Sequence, residues 1–258
     1  MPVGLIIDNK VYRDGVDIST AEFWAMFPSL KEQPSTAAGN PGDFLRVFQE
    51  CGKQSPDMVC ILVSKAMTAT YESAFLARKM ARAEQPELNI EIIDSRTSAG
   101  ALGFVVMEAA RAAQQGKSLE EVVAITRDLM SRVVYVSALD TLSYLIKTGR
   151  APRNITGIGE RLDVKPIIGF VDDSGMIDVI ARVRGKPKSL QKLVDLVDEY
   201  ADTSELHCII NYSNSREEAE ELKTMLHSRY RLAELHVSEY SPVMCSSTGP
   251  IIGISFYS

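Results

Sequence analysis

The chain has 258 residues, of which 45% are hydrophobic and 24% charged, and this composition indicates a globular protein of one large or two modest domains. The formal net charge of −6 argues against binding to a nucleic-acid phosphate backbone. The longest apolar stretches, such as "GALGFVVMEAA", are too short to span a bilayer, and no basic-then-apolar signal opens the sequence. We therefore expect a cytoplasmic protein.

The first predicted elements are a hairpin and two capped helices. Two short strand-like segments, "GLIID" and "KVYRD", flank "DNK" and predict a β-hairpin. A capping box formed by Ser19 and Glu22 predicts a helix that ends near Leu30. Asn40 and Pro41 are a typical cap and first helical residue, so a second helix is predicted to begin there.

Three apolar runs typical of buried strands follow, at residues 58–63, 90–94 and 132–139. Helices separate these runs: one is expected to end near Arg82, a second is stopped by Gly116, and a third is capped by "SLEE". Strands that alternate with helices of more than ten residues are typical of βαβ units. The pattern predicts an α/β fold with a three-layer N-terminal domain built on a parallel sheet.

The pattern changes after the third strand. A short helix with basic residues at its end is predicted over residues 140–153, and residues 164–185 read as an antiparallel hairpin. An amphipathic helix, a second helix that begins with a capping box, and three strands follow, which predicts a two-layer α+β domain. We assign residues 1–155 to the N-terminal domain and residues 156–258 to the C-terminal domain.

Neither the cysteines nor the histidines form a recognisable metal or catalytic pattern. The cysteines are scattered and lack CxxC spacing: Cys51, Cys60, Cys208 and Cys245. The histidines all lie in the last fifth of the chain: His207, His227 and His236. Two of them fall inside strand-like runs, where a structural role is the commoner one. We therefore predict free thiols, no metal, no cofactor and no histidine-based triad.

Hydroxyl side chains crowd the loops that follow the predicted strands. These loops are residues 64–70, 95–100 and 137–140. Ligands bind outside the carboxyl ends of strands in an open parallel sheet, and the first two loops run into helix N-termini, which favour an anion. Ordinary caps would explain one hydroxyl per helix. Ser64 and Ser95 are therefore candidate ligands of a carboxylate or phosphate, with helix capping as the alternative reading.

Six segments carry a resemblance to a known family. They are "QPS" (33–35), "SKAMTATYESA" (64–74), "IIDSRTSAGALGFVVMEAARAAQQGKSLEEV" (92–122), "LDTLSYLIKTGRAP" (139–152), "LDVKPIIGFVDDSGMIDVIARVRG" (162–185) and "TGPIIGISFY" (248–257). In this order they resemble the DegV family over nearly the whole chain. The resemblance implies two α/β domains that enclose a long-chain fatty acid, such as palmitate or oleate, in a tunnel. It also implies a carrier without catalytic activity, which presents the carboxylate to a partner fatty acid kinase and contacts the membrane transiently.

The resemblance also implies residues for the head group. Thr68 in "TATY" matches the hydroxyl that precedes Gly-Thr-Tyr in the family, with Ala69 in place of the glycine. Lys31 in "KEQPS" stands where a carboxylate-binding threonine is expected, and Ser247 takes the approximate place of a histidine. Arg150 in "TGR" is implied either to dock the kinase or to lie near the head group.

The start of the sequence departs from the family pattern. Family members open with a strand that ends in Asp-Ser, whereas this sequence begins near the segment that follows it, as "MPVGLIIDNKVYRDG". The resemblance therefore implies that this sequence lacks the first strand of the family's N-terminal sheet.

Two other functions are compatible with the same hydroxyl-rich loops. A binding module for another small anion, such as a phosphorylated metabolite, would use them in the same way. An enzyme would need Thr68 or Ser95 as nucleophile with Asp94 or Asp140 assisting, yet no paired base stands at a recognisable spacing. The apolar faces in "GALGFVVMEAA" and "VKPIIGF" are candidate tunnel walls or plain core, and Met67 could adapt to the shape of a bound chain.

Overall fold

The computed structural model describes residues 3–154, 163–202 and 205–258, and the elements are numbered in chain order within those ranges. The strands are β1 Gly4–Ile7, β2 Lys10–Arg13, β3 Ser35–Ala37, β4 Asp57–Leu62, β5 Asn89–Asp94, β6 Val134–Leu139, β7 Val164–Phe170, β8 Ile177–Arg184, β9 Leu206–Tyr212, β10 Leu232–Glu239 and β11 Ile251–Tyr257. The helices are α1 Thr20–Met26, α2 Pro41–Gly52, α3 Thr70–Glu84, α4 Ala99–Gln114, α5 Leu119–Met130, α6 Ser143–Lys147, α7 Lys186–Tyr200, α8 Arg216–Arg229 and α9 Pro242–Thr248.

The predicted capping residues begin their helices as expected. The side chain of Ser19 accepts a hydrogen bond from the backbone of Glu22 and completes the capping box of α1. Asn40 accepts in the same way from the first turn of α2, and Ser118 from that of α5. Helix α1 ends at Met26, earlier than predicted, and continues as a single 3₁₀ turn. The early end is expected because Pro28 has no N–H for the helical ladder.

A six-stranded sheet in the order β10-β9-β11-β6-β7-β8 forms the centre of the molecule. The β9–β10 pair is parallel, and the other neighbours are antiparallel. Helices α7 and α8 cover one face, where Leu193, Val197 and Leu222 are fully buried against the sheet. The opposite face packs on α1, α4 and the smaller sheets through side chains such as Phe23 and Ala101.

The N-terminal half contains a three-layer unit, as predicted. Strands β4 and β5 pair in parallel, with Cys60 opposite Ile92. Helix α2 covers one face through Phe44 and Phe48 together with the alanines of α3, and α4 and α5 cover the other face through alanine and valine side chains. A separate sheet in the order β2-β1-β3 contains the predicted hairpin. Its third strand, β3, was not predicted.

The predicted partners of the strand at residues 132–139 were wrong. This strand is β6, and it does not extend the parallel pair but lies between β11 and β7 in the six-stranded sheet, with Leu139 opposite Ile251. Side chains on both of its faces are buried, because Val136 points to one core and Tyr135 to the other. Such a strand looks the same in sequence whichever neighbour it pairs with. The predicted domain division at residue 155 lies outside the described residues.

Candidate functional site

A cavity of about 410 Å³ lies between the six-stranded sheet, the β2-β1-β3 sheet and the beginnings of α3 and α4. We call it the central cavity. Its wall is mainly apolar, and the apolar side chains include Val63, Met67, Leu145, Ile168, Phe170, Ile177, Val243 and Met244. Polar and charged side chains also reach it: Asp14, Thr36, Thr68, Thr70, Ser98, Arg150, Ser241, Ser247 and Thr248. Three predicted site residues, Thr68, Arg150 and Ser247, are among them.

Thr68 lies in the loop between β4 and α3. Its hydroxyl oxygen is 2.9 Å from that of Thr70, the first residue of the helix. The N-cap residue, Ala69, has no polar side chain, so no side-chain hydrogen bond caps α3. The first turn of a fifteen-residue helix therefore begins at the cavity wall beside a hydroxyl pair. This combination of hydroxyls and a positive helix end suits an anionic group.

Arg150 is held in place by three oxygen acceptors. Its Nε donates to the carbonyl of Met67 at 3.3 Å, its Nη1 to the carbonyl of Thr148 at 2.8 Å, and its Nη2 to the hydroxyl of Thr36 at 3.2 Å. The guanidinium is partly buried and carries five N–H groups, so this network fixes its plane and leaves donors free for a ligand. The Arg150 guanidinium thereby links the loop that contains Thr68 to the segment that contains Thr36.

The other predicted ligands do not line the central cavity. Lys31 is exposed in the segment that precedes β3. Ser64 is fully buried and donates its hydroxyl to the carbonyl of Gly175 at 2.6 Å. Ser95 is also buried, and its hydroxyl is shared between the carbonyl and the amide of Thr97, both at 3.3 Å. The hydroxyls of Ser64 and Ser95 therefore satisfy backbone groups, while Thr68 a few residues away faces the cavity.

Several cavity-lining hydroxyls were not predicted as ligands, among them those of Ser98 and Thr36. Ser98 is the N-cap of α4, yet its side chain makes no capping hydrogen bond and lines the central cavity. The backbone amide of Gly100 in that first turn is instead satisfied by the side chain of Asn211 at 3.0 Å. Thr36 follows the "QPS" segment and orients Arg150. Ser98 could have been identified from its place in the predicted loop at residues 95–100, whereas no feature of the sequence points to Thr36.

A buried cluster of phenols lies behind the cavity wall. Tyr135 lines the cavity, and its hydroxyl is 3.1 Å from that of Tyr240, which in turn is 2.9 Å from the hydroxyl of Ser137. Burial raises the pKa of both tyrosines, because a phenolate would lose its hydration there. The cluster is therefore neutral, and it gives the end of the cavity a rigid wall rather than a titrating group.

An exposed groove adjoins the polar end of the cavity, and we call it the rim groove. It shares Met67, Thr68, Ala69 and Arg150 with the central cavity and adds Lys65. A ligand atom held by Thr68 would therefore lie at the boundary between a largely apolar enclosure and an open surface.

Among the described residues no group of three or more acidic, histidine or cysteine side chains could hold a metal ion. In the same ranges no helix has the length and apolar character needed to cross a bilayer.

Sequence comparisons relate this chain to one family. The model described as "Uncharacterised protein, DegV family" matches residues 1–258. A DegV domain-containing protein of Caldanaerobacter subterraneus is 31% identical over 251 residues, which are 97% of this chain and 87% of that protein. A DegV domain-containing protein of Clostridium acetobutylicum is also 31% identical, over 252 residues with the same coverage.

Solved structures show the same fold. A fatty-acid-binding DegV family protein from Thermus thermophilus superposes with a TM-score of 0.90 at 24% identity, covering 100% of this chain and 90% of that chain. The Streptococcus pneumoniae fatty acid kinase B3 protein, solved with linoleic acid, gives a TM-score of 0.89 at 18% identity, covering 99% and 89%. A stearic-acid-binding protein from Eubacterium ventriosum gives 0.86 at 24% identity, with 99% and 89% covered. These likenesses confirm the predicted α/β fold class.

Proposed function

The chain belongs to the DegV family, as its sequence predicted, and we propose that it binds a long-chain fatty acid in the central cavity. The observation that carries this proposal is a mainly apolar enclosure with a polar end formed by Thr68, Thr70 and Arg150, and with the beginnings of helices α3 and α4 in its wall. A molecule that matches this arrangement has one anionic group and a long hydrocarbon chain. Relatives of the same fold were solved with such molecules, which supports the same ligand class here.

Affinity would come mainly from the hydrocarbon chain. Burial of a methylene group contributes roughly 0.8 kcal/mol, so a sixteen-carbon chain gains on the order of 10 kcal/mol before the loss of its freedom is counted. The apolar wall is supplied by strands β7 and β8 through Ile168 and Ile177, and by α9 through Val243 and Met244. The "VKPIIGF" segment, but not "GALGFVVMEAA", thus supplies wall residues. Met67 is also in the wall, beside the polar end.

The carboxylate would be oriented rather than tightly enclosed. Thr68 and Ser98 offer hydroxyl donors at the beginnings of α3 and α4, and Ser247 offers a third from α9. Arg150 adds a fixed positive charge at the same end. Hydrogen bonds to a charged acceptor are stronger than those between neutral groups, so two or three of them suffice to fix a carboxylate.

The bound carboxylate would be presented to a partner fatty acid kinase at the rim groove. Thr68 and Arg150 line both the central cavity and this open groove, so one carboxylate oxygen can face outward. The candidate bases for chemistry within this chain have other partners. Asp140 pairs with Lys165 at 2.8 Å, and Asp94 accepts from the backbone amides of Lys65 and Arg96. The likeness to a fatty acid kinase B3 protein supports a carrier that depends on another protein for phosphoryl transfer.

Denaturing extraction of the purified protein followed by mass spectrometry tests the proposal. We expect a fatty acid in near-stoichiometric amount, and we expect delipidated protein to take up palmitate or oleate. Protein that is empty and takes up neither would contradict the proposal. Co-extraction of a phosphorylated metabolite instead would favour the alternative binding module for a small anion.

A further inference from the structure

One aromatic residue belongs to the walls of two cavities. Phe170, the last residue of β7, lines the central cavity and also lines a neighbouring pocket of about 420 Å³. We call that second pocket the side groove. Its volume is close to that of the central cavity, and of the described residues Phe170 is the one in the lining of both cavities.

The side groove differs from the central cavity in character. Its lining is rich in charged side chains, which are Lys65, Asp94, Arg96, Arg127, Asp172 and Asp173. A hydrocarbon chain gains little by entering a charged, hydrated groove, because those groups would lose water without gaining a partner. With the ring of Phe170 in place, the apolar enclosure ends where the charged groove begins.

Phe170 occupies this position because its hairpin is anchored at the tip. It lies opposite Ile177 in the β7–β8 register, and its ring centroid is 5.7 Å from that of Tyr135. The turn that follows is tied down by the Ser64 hydroxyl, which donates to Gly175, and the space there is so tight that a Cβ on Gly175 would lie 2.3 Å from the Ser64 oxygen.

A second contact fixes the same turn. Arg96, in the loop after β5, forms an ion pair of 2.8 Å with Asp173 in the turn. Both anchors come from loops that follow the parallel strands β4 and β5, whereas Phe170 belongs to the six-stranded sheet. Loops of the β4–β5 unit therefore contact the turn that follows Phe170. The buried hydrogen bond of Ser64 is the stronger of the two contacts, because the Arg96–Asp173 pair is exposed to solvent.

We propose that Phe170 sets the length of acyl chain that the protein accepts. The inference rests on the proposed function, since it concerns the same cavity. A chain that fits the enclosure is buried fully, while a longer chain must leave methylene groups in water or displace the ring. Removal of the ring frees the space that the ring itself fills beside Tyr135 and Ile177, and a longer chain can bury additional methylene groups there.

The test compares delipidated wild type with Phe170→Ala, using sixteen-carbon palmitate and twenty-two-carbon behenate as competitors of a fluorescent fatty acid. We expect wild type to prefer palmitate, and Phe170→Ala to lower the behenate-to-palmitate ratio of Kd values by about tenfold or more. Val171→Ala is the matched control, because Val171 follows Phe170 in the chain, is 46% exposed and lines neither cavity. It shortens an apolar side chain of the same segment without changing either cavity, so the wild-type ratio is expected.

An unchanged ratio in Phe170→Ala, or an equal shift in Val171→Ala, would overturn the inference. Phe170→Trp tests it in the opposite direction, since a larger ring is expected to move the preference toward fourteen-carbon myristate, and it serves if the alanine variant does not fold. Wild type that binds none of these fatty acids would refute the proposed function itself. Wild type that binds palmitate with no effect of either Phe170 substitution would refute the length-setting role alone.

Discussion

The hydroxyl oxygens of Thr68 and Thr70 lie 2.9 Å apart, and the two residues both line the central cavity but differ in exposure. Thr70 is 6% exposed, while Thr68 is partly exposed in the loop before it. The buried hydroxyl therefore orients the accessible one, which keeps its remaining hydrogen-bonding capacity for a ligand. Thr68 is thus the hydroxyl whose removal should affect binding most directly.

Thr68→Ala should weaken fatty acid binding by roughly 10- to 100-fold, since one hydrogen bond to a charged acceptor is lost. Thr68→Ser should retain most of the affinity because it keeps the hydroxyl. Ser73→Ala, at a half-buried position on the same helix that lines neither the central cavity nor the rim groove, is the control for general effects on α3. Displacement of a fluorescent fatty acid measures the affinities, and equal affinity in wild type and Thr68→Ala would remove Thr68 from the head-group site.

Arg150→Ala should reduce both stability and binding. Two backbone carbonyls, those of Met67 and Thr148, lose their donor, and we expect a loss of roughly 2 kcal/mol, or a fall in Tm of about 4–8 °C. Arg150→Lys should recover part of the binding through its charge but not the stability, because an ammonium group cannot reach the three acceptors that the planar guanidinium contacts. Thermal melts with and without palmitate measure both effects. The exposed Arg46→Ala is the control, and a melt of Arg150→Ala that matches it would contradict the role assigned to the network.

Glu234 should make the protein sensitive to acid. The bidentate contact with Arg111, at 2.8 and 3.1 Å, lowers the pKa of Glu234 to about 2, and His207 and His236 also lie beside it. The pKa of Glu234 is lower in the folded state than the unfolded value near 4.5. The ionised carboxylate therefore adds to the free energy of unfolding above pH 4.5, and this stabilisation is lost as the pH falls toward 2. Glu234→Gln should therefore lower the free energy of unfolding at pH 7 by roughly 2 kcal/mol and flatten its decline in acid.

Urea unfolding between pH 7 and pH 2.5 measures this dependence. Glu87→Gln, an exposed position, should follow the wild-type curve. If Glu234→Gln and wild type decline in parallel over that range, the ion pair with Arg111 does not produce the acid sensitivity.

Two glycines should respond in opposite ways to substitution by alanine. A Cβ on Gly253 in β11 would lie 1.9 Å from the Ser137 hydroxyl and 2.7 Å from that of Tyr240, so Gly253→Ala should destabilise the protein by roughly 3 kcal/mol. A Cβ on Gly103 meets Ile209 at an ordinary 3.5 Å inside helix α4, so Gly103→Ala should stabilise it by about 0.5–1 kcal/mol. Urea denaturation distinguishes the two, and a similar midpoint for both variants would be incompatible with the packing around Gly253.

The thiols should react at very different rates. Cys51 is exposed, whereas burial raises the pKa of Cys60 to about 11 and the pKa values of Cys208 and Cys245 to about 12. We expect one thiol to react rapidly with a disulfide reagent at pH 8 in the native protein, and all four after denaturation. Cys51→Ser should abolish the rapid phase. A rapid phase that persists in Cys51→Ser would mean that a buried thiol is reached through local opening.

Local sequence patterns predicted the elements of this fold well and their partners less well. The capping side chains of Ser19, Asn40 and Ser118 act within one helical turn, so their effect is visible in a few residues. The neighbours of β6 come from residues 164–170 and 251–257, and no local pattern encodes that choice. Strand β3 was missed because three residues are too few to show a periodicity.

The site shows the same division between local and distant information. The loop at residues 64–70 was predicted to hold a head group, and its helix does begin at the cavity. Which hydroxyl faces the cavity depends on Gly175, which lies 111 residues further along the chain and accepts from Ser64. Ser98 and Thr36 likewise reach the cavity through packing that brings distant segments together. Residue type indicated the chemistry, and tertiary structure selects the atoms that can perform it.

The position of β6 between β7 and β11 has a consequence for synthesis on the ribosome. Strand β6 ends at Leu139, a little past the midpoint of the sequence, yet one of its neighbours is the strand at residues 251–257. During translation its edge must stay unpaired until those residues emerge, since β11 inserts between β6 and β9. Long-range closure of this kind is slow and leaves apolar strand edges open to aggregation. Nascent chains that end before residue 251 should therefore depend on chaperones far more than the complete sequence does.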